Sequence, residues 1–276
     1  MGETARRLRN PSRQENPMHR EIVPVACLKD NFAFLLHDGQ TGASAVVDVP
    51  EARPVADELA RRGWRPDTIL LTHHHGDHVQ GVPDLVAMLG SKGTRPRVVG
   101  AAADAHRLPP LDLAVAPGDT LMVGGVEVRV LDAPGHTIGH VAYHAPAARA
   151  VFTGDSLMAL GCGRLFEGSA AQMWDTMLRL SALPDDTQVF SGHDYMAGNA
   201  AFAATVDPDN TAAITRAAAH RMGLPDRLFT TIAEEKATNP FLRADLSALR
   251  AAVGLPGAPA PEVFAALRAA KDSFRP

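Results

Sequence analysis

Thr72-His73-His74-His75-Gly76-Asp77-His78 is the stretch on which the reading of this chain turns. It follows residues 67–72, an apolar, β-branched run of the kind found in a strand buried on both faces. Where such a strand ends and the chain stays extended, alternate side chains point the same way. His73 and His75 then share a side and can bind one cation through imidazole nitrogens, while Asp77 and His78 reach a second. A two-metal hydrolytic site wants about 3.5–4 Å between ions and a bridging carboxylate. Asp155, after Thr153-Gly154 at the end of an apolar strand, suits that role. His136, in Pro134-Gly135-His136, and His193, in Ser191-Gly192-His193, can complete the first and second shells. A lone loop histidine is ordinarily a surface or core residue, but four ligand-type side chains within six positions call for a cation. His74 is expected to point away and be structural. His140, four residues after His136, is expected to support a ligand rather than bind metal.

Two cations would lower the pKa of a shared water so that hydroxide forms near neutral pH. Hydroxide attacks a carbonyl, and positive charge stabilises the oxyanion. The leaving group stays open at this point: an amine needs a general acid, whereas a thiolate, from a thiol of pKa about 8.5, needs one less.

The 276 residues suffice for one large domain plus a small one, and 46% of them are apolar. No run of about 18 apolar residues occurs, so no transmembrane helix is expected. A formal charge of −4 gives no support for nucleic-acid binding. Cys27 and Cys162 stand far apart with no CxxC pairing, which predicts free thiols in a reducing cytoplasm. Residues 1–18 hold Arg6, Arg7, Arg9 and Arg13 but no apolar run, and read as a disordered leader, with targeting the less favoured reading.

From residue 22 short strands are expected at 22–27, 32–37 and 45–49, then a helix at 51–62 ended by Gly63. A helix at 79–89 follows the histidine loop, then strands at 97–100, 120–123, 126–131, 141–144 and 150–153. Ser169-Ala170-Ala171-Gln172 is a capping box opening a helix to about residue 180, and 188–191 is the last strand. After Tyr195 strand signals vanish, and alanine-rich segments at 197–205, 211–222, 230–237, 244–252 and 261–272 read as helices. The expected organisation is an α/β body over 19–195 and a helical unit over 196–276.

The His-x-His-x-Asp-His loop, followed by a Gly-His, an Asp and a second Gly-His, resembles the metallo-β-lactamase superfamily. More narrowly, the chain resembles the hydroxyacylglutathione hydrolases, or glyoxalase II family. The narrowing residues are Cys27-Leu28-Lys29-Asp30-Asn31-Phe32, Gly161-Cys162-Gly163-Arg164-Leu165-Phe166-Glu167-Gly168, Gly192-His193-Asp194-Tyr195, Asn239-Pro240-Phe241-Leu242-Arg243 and the closing Leu267-Arg268-Ala269-Ala270-Lys271-Asp272-Ser273-Phe274. The resemblance spans about residues 20–276. It implies an αββα sandwich followed by a small all-helical C-terminal domain, and hydrolysis of S-D-lactoylglutathione to D-lactate and glutathione. It also implies that His73, His75 and His136 bind one metal, that Asp77, His78 and His193 bind the other, and that Asp155 bridges. Asp77 and Asp155 are then the catalytic carboxylates. Zinc is the first expectation for the two divalent ions, with iron or manganese compatible with the same donors.

By the same resemblance Arg268 and Lys271, close on one helix, meet the glutathione carboxylate, and Tyr195 contacts substrate. Arg164 stands where the family usually has lysine, which keeps the charge but changes donor geometry. Phe166 stands where tyrosine is common, losing a hydroxyl contact worth about 0.5–1.5 kcal/mol. Gly76 replaces a bulkier residue. The rival readings are a single-iron persulfide dioxygenase, a lactonase or β-lactamase of the same superfamily, and a nucleic-acid processing enzyme. The favoured expectation is a monomeric cytoplasmic thioester hydrolase acting on a glutathione thioester, with neither nucleic acid nor membrane as partner.

Overall fold

Alternation along the strands builds two sheets that share one core. The computed structural model describes residues 20–91, 93, 95–221 and 229–275; the expected leader and residue 222 of the 211–222 helix lie outside the described residues. In chain order the first half contains β1 (Arg20–Cys27), β2 (Asn31–Asp38), β3 (Ser44–Val47), α1 (Ala52–Arg62), β4 (Thr68–Leu70), α2 (Gly76–Val79), α3 (Val82–Gly90), β5 (Arg97–Ala101) and β6 (Leu113–Val115). These strands form one sheet in the order β1-β2-β3-β4-β5-β6, parallel from β3 onward.

The second half adds β7 (Thr120–Val123), β8 (Val126–Asp132), β9 (Val141–Ala145), β10 (Ala150–Gly154), the short β11 (Leu157–Met158) and β12 (Gly161–Cys162), α4 (Ala170–Ser181) and β13 (Gln188–Ser191). The helical part holds α5 (Met196–Val206), α6 (Thr211–Arg221), β14 (Thr230–Thr231), α7 (Ile232–Thr238), α8 (Ser247–Ala252) and α9 (Ala260–Ser273). The second sheet runs β14-β13-β10-β9-β8-β7.

On β2, Phe34 and Leu36 face one way and Ala33 and Leu35 the other. The first pair joins Phe152, Phe190, Tyr143 and Val130 of the second sheet in the central core. The second pair packs with Ile69 against Val55 and Leu59 of α1 and Leu85 of α3. On the far face of the second sheet Ala142, Val151 and Val189 meet Met173 and Met177 of α4 and Phe241, Phe264 and Leu267 of the helical part. The layers are therefore α, β, β, α, as expected. Burial on both faces explains why β3 and β4 read as unbroken apolar runs.

Three departures from the sequence reading have physical causes. The strand expected to reach residue 49 stops at Val47, because Asp48 takes a left-handed conformation, with φ of +55°. The helix expected at 79–89 is broken: α2 ends and Gly81 lies against the Val49 carbonyl and Ala52, so close that a Cβ there would meet Ala52 N at 2.7 Å. The segment 230–237 opens with a strand, since Thr230 and Thr231 pair antiparallel with Val189 and Gln188 before Thr231 and Glu234 close a capping box on α7. The Ser169–Gln172 capping box on α4 is formed as read.

Candidate metal centre and cleft

The site sits where the ends of β4, β10 and β13 meet the β8–β9 loop and the β1–β2 turn. Phe32 N donates to Gly192 O, Gly192 N to Gly154 O and Val141 N to Thr72 O, which ties the two sheets together at this end. After Thr72 the chain stays extended through His75 and turns into α2 at Gly76, which swings Asp77 and His78 round to the second set of donors. A Cβ at Gly76 would come near only Gln80 Oε1, at 3.9 Å, so a bulkier residue would fit here. Gly192 is a different case, because a Cβ would meet His78 Cε1 at 2.5 Å and Asp155 Oδ1 at 2.7 Å. That backbone must approach the donors closely, and only glycine allows it.

All seven donors predicted from sequence converge. His136 Nε2 lies 3.0 Å from His75 Nδ1 and 3.4 Å from Asp155 Oδ2. His193 Nε2 lies 3.3 Å from Asp155 Oδ2, from Asp77 Oδ2 and from His78 Nε2. Asp155 Oδ1 is 3.3 Å from His78 Nε2. The donors cluster as His73, His75 and His136; as Asp77, His78 and His193; and as His73, His78 and Asp155, each set within 4.8 Å. His73 Nε2 and Asp155 Oδ1 are buried without a hydrogen-bond partner. An orphaned imidazole nitrogen beside an orphaned carboxylate oxygen is costly in a dry site, and a cation between them would remove that cost. The donor set fits two divalent ions.

Electrostatics divide the cluster. Burial, with the neighbouring imidazoles, pushes His73 and His140 well below the usual histidine range. His136 and His75 are also lowered, by burial first. Burial works the same way on His193, but hydrogen bonds to Asp155 and Asp77 outweigh it and lift the ring to about 10. His78 is likewise raised despite burial, by Asp155 and Asp48. Burial pushes Asp155 up, yet the charge of His78 and the bonds from His193 hold it well below the carboxylate range. His193 foremost does the same for Asp77. Metal binding at these atoms would be coupled to proton release.

Several functional neighbours went unread in the sequence. Asp48, buried, accepts from Thr72 N at 2.8 Å and Thr72 Oγ1 at 2.7 Å and pairs with His78 Nδ1 at 2.9 Å. Asp30 pairs with His193 Nδ1 at 2.9 Å, and Asn31 Nδ2 donates to the Asp77 carbonyl and carboxylate. His136 Nδ1 donates to the Arg164 carbonyl at 2.8 Å. Such partners fix the tautomer so that Nε2 faces the metal. The available signal was position: Asp48 ends an apolar strand and Asp30 sits in a tight turn. His140 Nε2 accepts from Asp155 N at 3.1 Å while its ring stacks on His73, so it touches ligands on two elements. His74 turns away and pairs with Asp104 and Glu167, which Arg107 also bridges.

A cleft of about 730 Å³ opens from the donors toward the helical part. Its walls include Arg164, Phe166, Tyr195, Arg268 and Lys271. Phe166 is 61% exposed and lies edge-on to His75 and His136; Tyr195 stacks on His193 at 4.6 Å between centroids. Arg268 and Lys271 were expected to share one ligand, but the structure gives them different surroundings. Arg268 is 6% exposed, with Nη1 donating to Cys162 O and Nη2 bonded to Asp272. Lys271 is half-buried with one bond, to Gly198 O at 2.8 Å. Arg164 reaches the same Asp272 at 3.2 Å.

Comparison with known proteins agrees along the whole described chain. Residues 32–193 match the metallo-β-lactamase superfamily and 194–274 the hydroxyacylglutathione hydrolase C-terminus. A hydroxyacylglutathione hydrolase of Cereibacter sphaeroides is 55% identical over 261 residues, 93% of this chain and all of that one. The chain belongs to the hydroxyacylglutathione hydrolase family. It is thus a hydrolase of the metallo-β-lactamase superfamily. Among solved structures, ETHE1 from Myxococcus xanthus is similar at a TM-score of 0.60 and 27% identity, covering 92% of this chain and 97% of that one. TTHA1623 in a di-iron-bound form is similar at 0.56 and 28%, covering 80% and 98%. Among the described residues no helix is long and apolar enough to cross a membrane.

Proposed function

We propose that this hydrolase cleaves the thioester of S-D-lactoylglutathione to D-lactate and glutathione. The observation that carries the reading is one cleft lined both by metal donors and by cationic side chains. In this reading His73, His75 and His136 hold one divalent ion, Asp77, His78 and His193 hold a second, and Asp155 spans both. Zinc is the favoured metal, with iron or manganese served by the same donors. Bound there, the ions would make hydroxide available near neutral pH and would supply positive charge for the oxyanion.

The remaining work falls to the chain's own groups. Asp77 faces the cleft with Oδ2 held by Asn31 Nδ2 and beside His193, so it would serve as a donor to the second ion and orient the attacking water rather than take its proton. Lys271 offers the ammonium for a glutathione carboxylate, and Arg164 guards the mouth. Tyr195 and Phe166 flank the acyl end. Arg268, also in the cleft wall, is proposed with Lys271 as a contact for the glutathione carboxylate, and it fixes the Cys162 carbonyl and Asp272 as well. A thiolate can leave without a general acid beside it. Residues 19–195 form the catalytic unit and 196–276 the substrate-binding unit. Both cysteines are free and buried, which supports a cytoplasmic enzyme. A monomer is expected, with size-exclusion as the check.

Hydrolysis of S-D-lactoylglutathione, with metal content measured on the same sample, tests the reading. Fast turnover with close to two metals per chain is expected. Two metals without turnover would overturn the substrate; one iron and no hydrolysis would overturn the reaction.

A further inference from the structure

The turn between β11 and β12 links Asp155 to Arg164, and its polar backbone is held by side chains of the helical part. Asn239 Nδ2 donates to Met158 O at 3.2 Å and Gly161 O at 2.9 Å; Asn199 Nδ2 donates to Ala159 O at 3.0 Å. Leu160 N donates to Glu235 at 3.1 Å, and Arg268 Nη1 to Cys162 O at 2.8 Å. Leu160 itself sits at φ of +56°, a conformation that a leucine keeps only where its surroundings over-determine it. Asn239 and Glu235 are fully buried, and Glu235 lies 2.7 Å from Arg216, itself 6% exposed. Asn239 Nδ2 also lies 2.8 Å from Glu235, while its Oδ1 accepts from Phe241 N. A buried amide used at both ends, backed by a neutralised carboxylate, defines one arrangement of the turn.

That arrangement reaches the metal donors. Beyond the turn, Gly163 is pressed on the Asp155 backbone so closely that a Cβ would fall 1.9 Å from Asp155 O, and Gly163 N donates to Ser156 O. The next carbonyl, of Arg164, accepts the His136 Nδ1 proton and so directs His136 Nε2 toward His75 and Asp155. We propose that Asn239 is a positioning residue for His136, acting through the 158–164 segment. The helical part then completes the metal centre as well as the cleft. This rests on His136 being a ligand, as proposed above.

The test is zinc affinity in the absence of substrate, by competition with a chromophoric chelator, on the full chain. Asn239→Ser keeps an oxygen for Phe241 N but removes the bonds to Met158 and Gly161. Of the two zinc-binding steps, one is expected to weaken about tenfold and the other to stay within twofold. His136→Ala, run alongside, should lose that same step. A Asn239→Ser protein with a lower Tm but both steps at wild-type strength would overturn the proposal, leaving Asn239 a folding residue only. If His136→Ala itself binds two zinc ions normally, the ligand reading fails first and the proposal falls with it. Should Asn239→Ser not fold, Asn199→Ala removes one bond to the same turn. A smaller weakening of the same step supports the proposal, and unchanged affinity overturns it.

Discussion

Asp48→Asn separates charge and tautomer from shape. Asp48 adopts φ of +55°, a region that asparagine tolerates nearly as well as any non-glycine residue, so the backbone need not move. The amide oxygen can still accept from Thr72 N, and the amide N–H₂ can donate to Thr72 Oγ1 or to His78 Nδ1, but it cannot accept the His78 Nδ1 proton as the carboxylate does at 2.9 Å. His78 is then driven to carry its proton on Nε2, the atom 3.3 Å from both Asp155 Oδ1 and His193 Nε2. A protonated Nε2 cannot bind metal. Loss of such a partner weakens metal about 10–100-fold, or ~1.4–2.8 kcal/mol. The fold loses one charge-assisted bond, about 1.5–3 kcal/mol, and Tm falls by roughly 3–12 °C. Zinc competition and calorimetry on the same preparation give both numbers. Wild-type affinity in both zinc steps, with the fold intact, would refute the claim that Asp48 sets the His78 tautomer.

Other perturbations test separate parts of the site. Asp155→Ala removes the carboxylate shared by both donor sets and should lose at least one metal and nearly all kcat, read by metal content and turnover. Lys271→Ala gives up one bond, to Gly198 O, and should raise KM about tenfold with kcat kept; a collapse of kcat would refute its role as a binding residue. Arg268→Ala removes the guanidinium from the Cys162 carbonyl and leaves Asp272 with Arg164 alone, so it should cost about 2–3 kcal/mol of stability, measured by urea unfolding. Glu167 is held at about 2, below its ordinary 4.5, by hydrogen bonds from Arg107 foremost. Its stabilisation is therefore present above about pH 4.5 and is lost as the pH falls toward 2. The stability gap between wild type and Glu167→Gln, about 1 kcal/mol at pH 7, should narrow over that window; a gap of undiminished size at pH 2.5 would refute the pairing.

The sequence made some of this architecture plain and hid the rest for identifiable reasons. The donors were legible because four of them crowd one loop after a strand and the other three each follow a glycine, whereas the layers were expected only from the family resemblance. Asp48, Asp30 and Asn31 were not, because a carboxylate or amide in a turn is commonplace until a histidine from elsewhere is set beside it. β14 was missed because two threonines carry no periodicity, and their strand exists only through pairing with Gln188 and Val189. Arg268 and Lys271 looked alike on one helix; their difference depends on Cys162, more than 100 residues away in sequence.

The pairing of β14 with β13 bears on how this fold could be recombined. A chain ended near residue 195 would leave β13 with a bare row of amides and carbonyls, an edge open to pairing with another molecule. The helical part is therefore a detachable specificity module only if it brings that strand with it. Any graft that changes the cleft must also supply a compatible edge strand, or the hybrid is expected to aggregate before its selectivity can be measured.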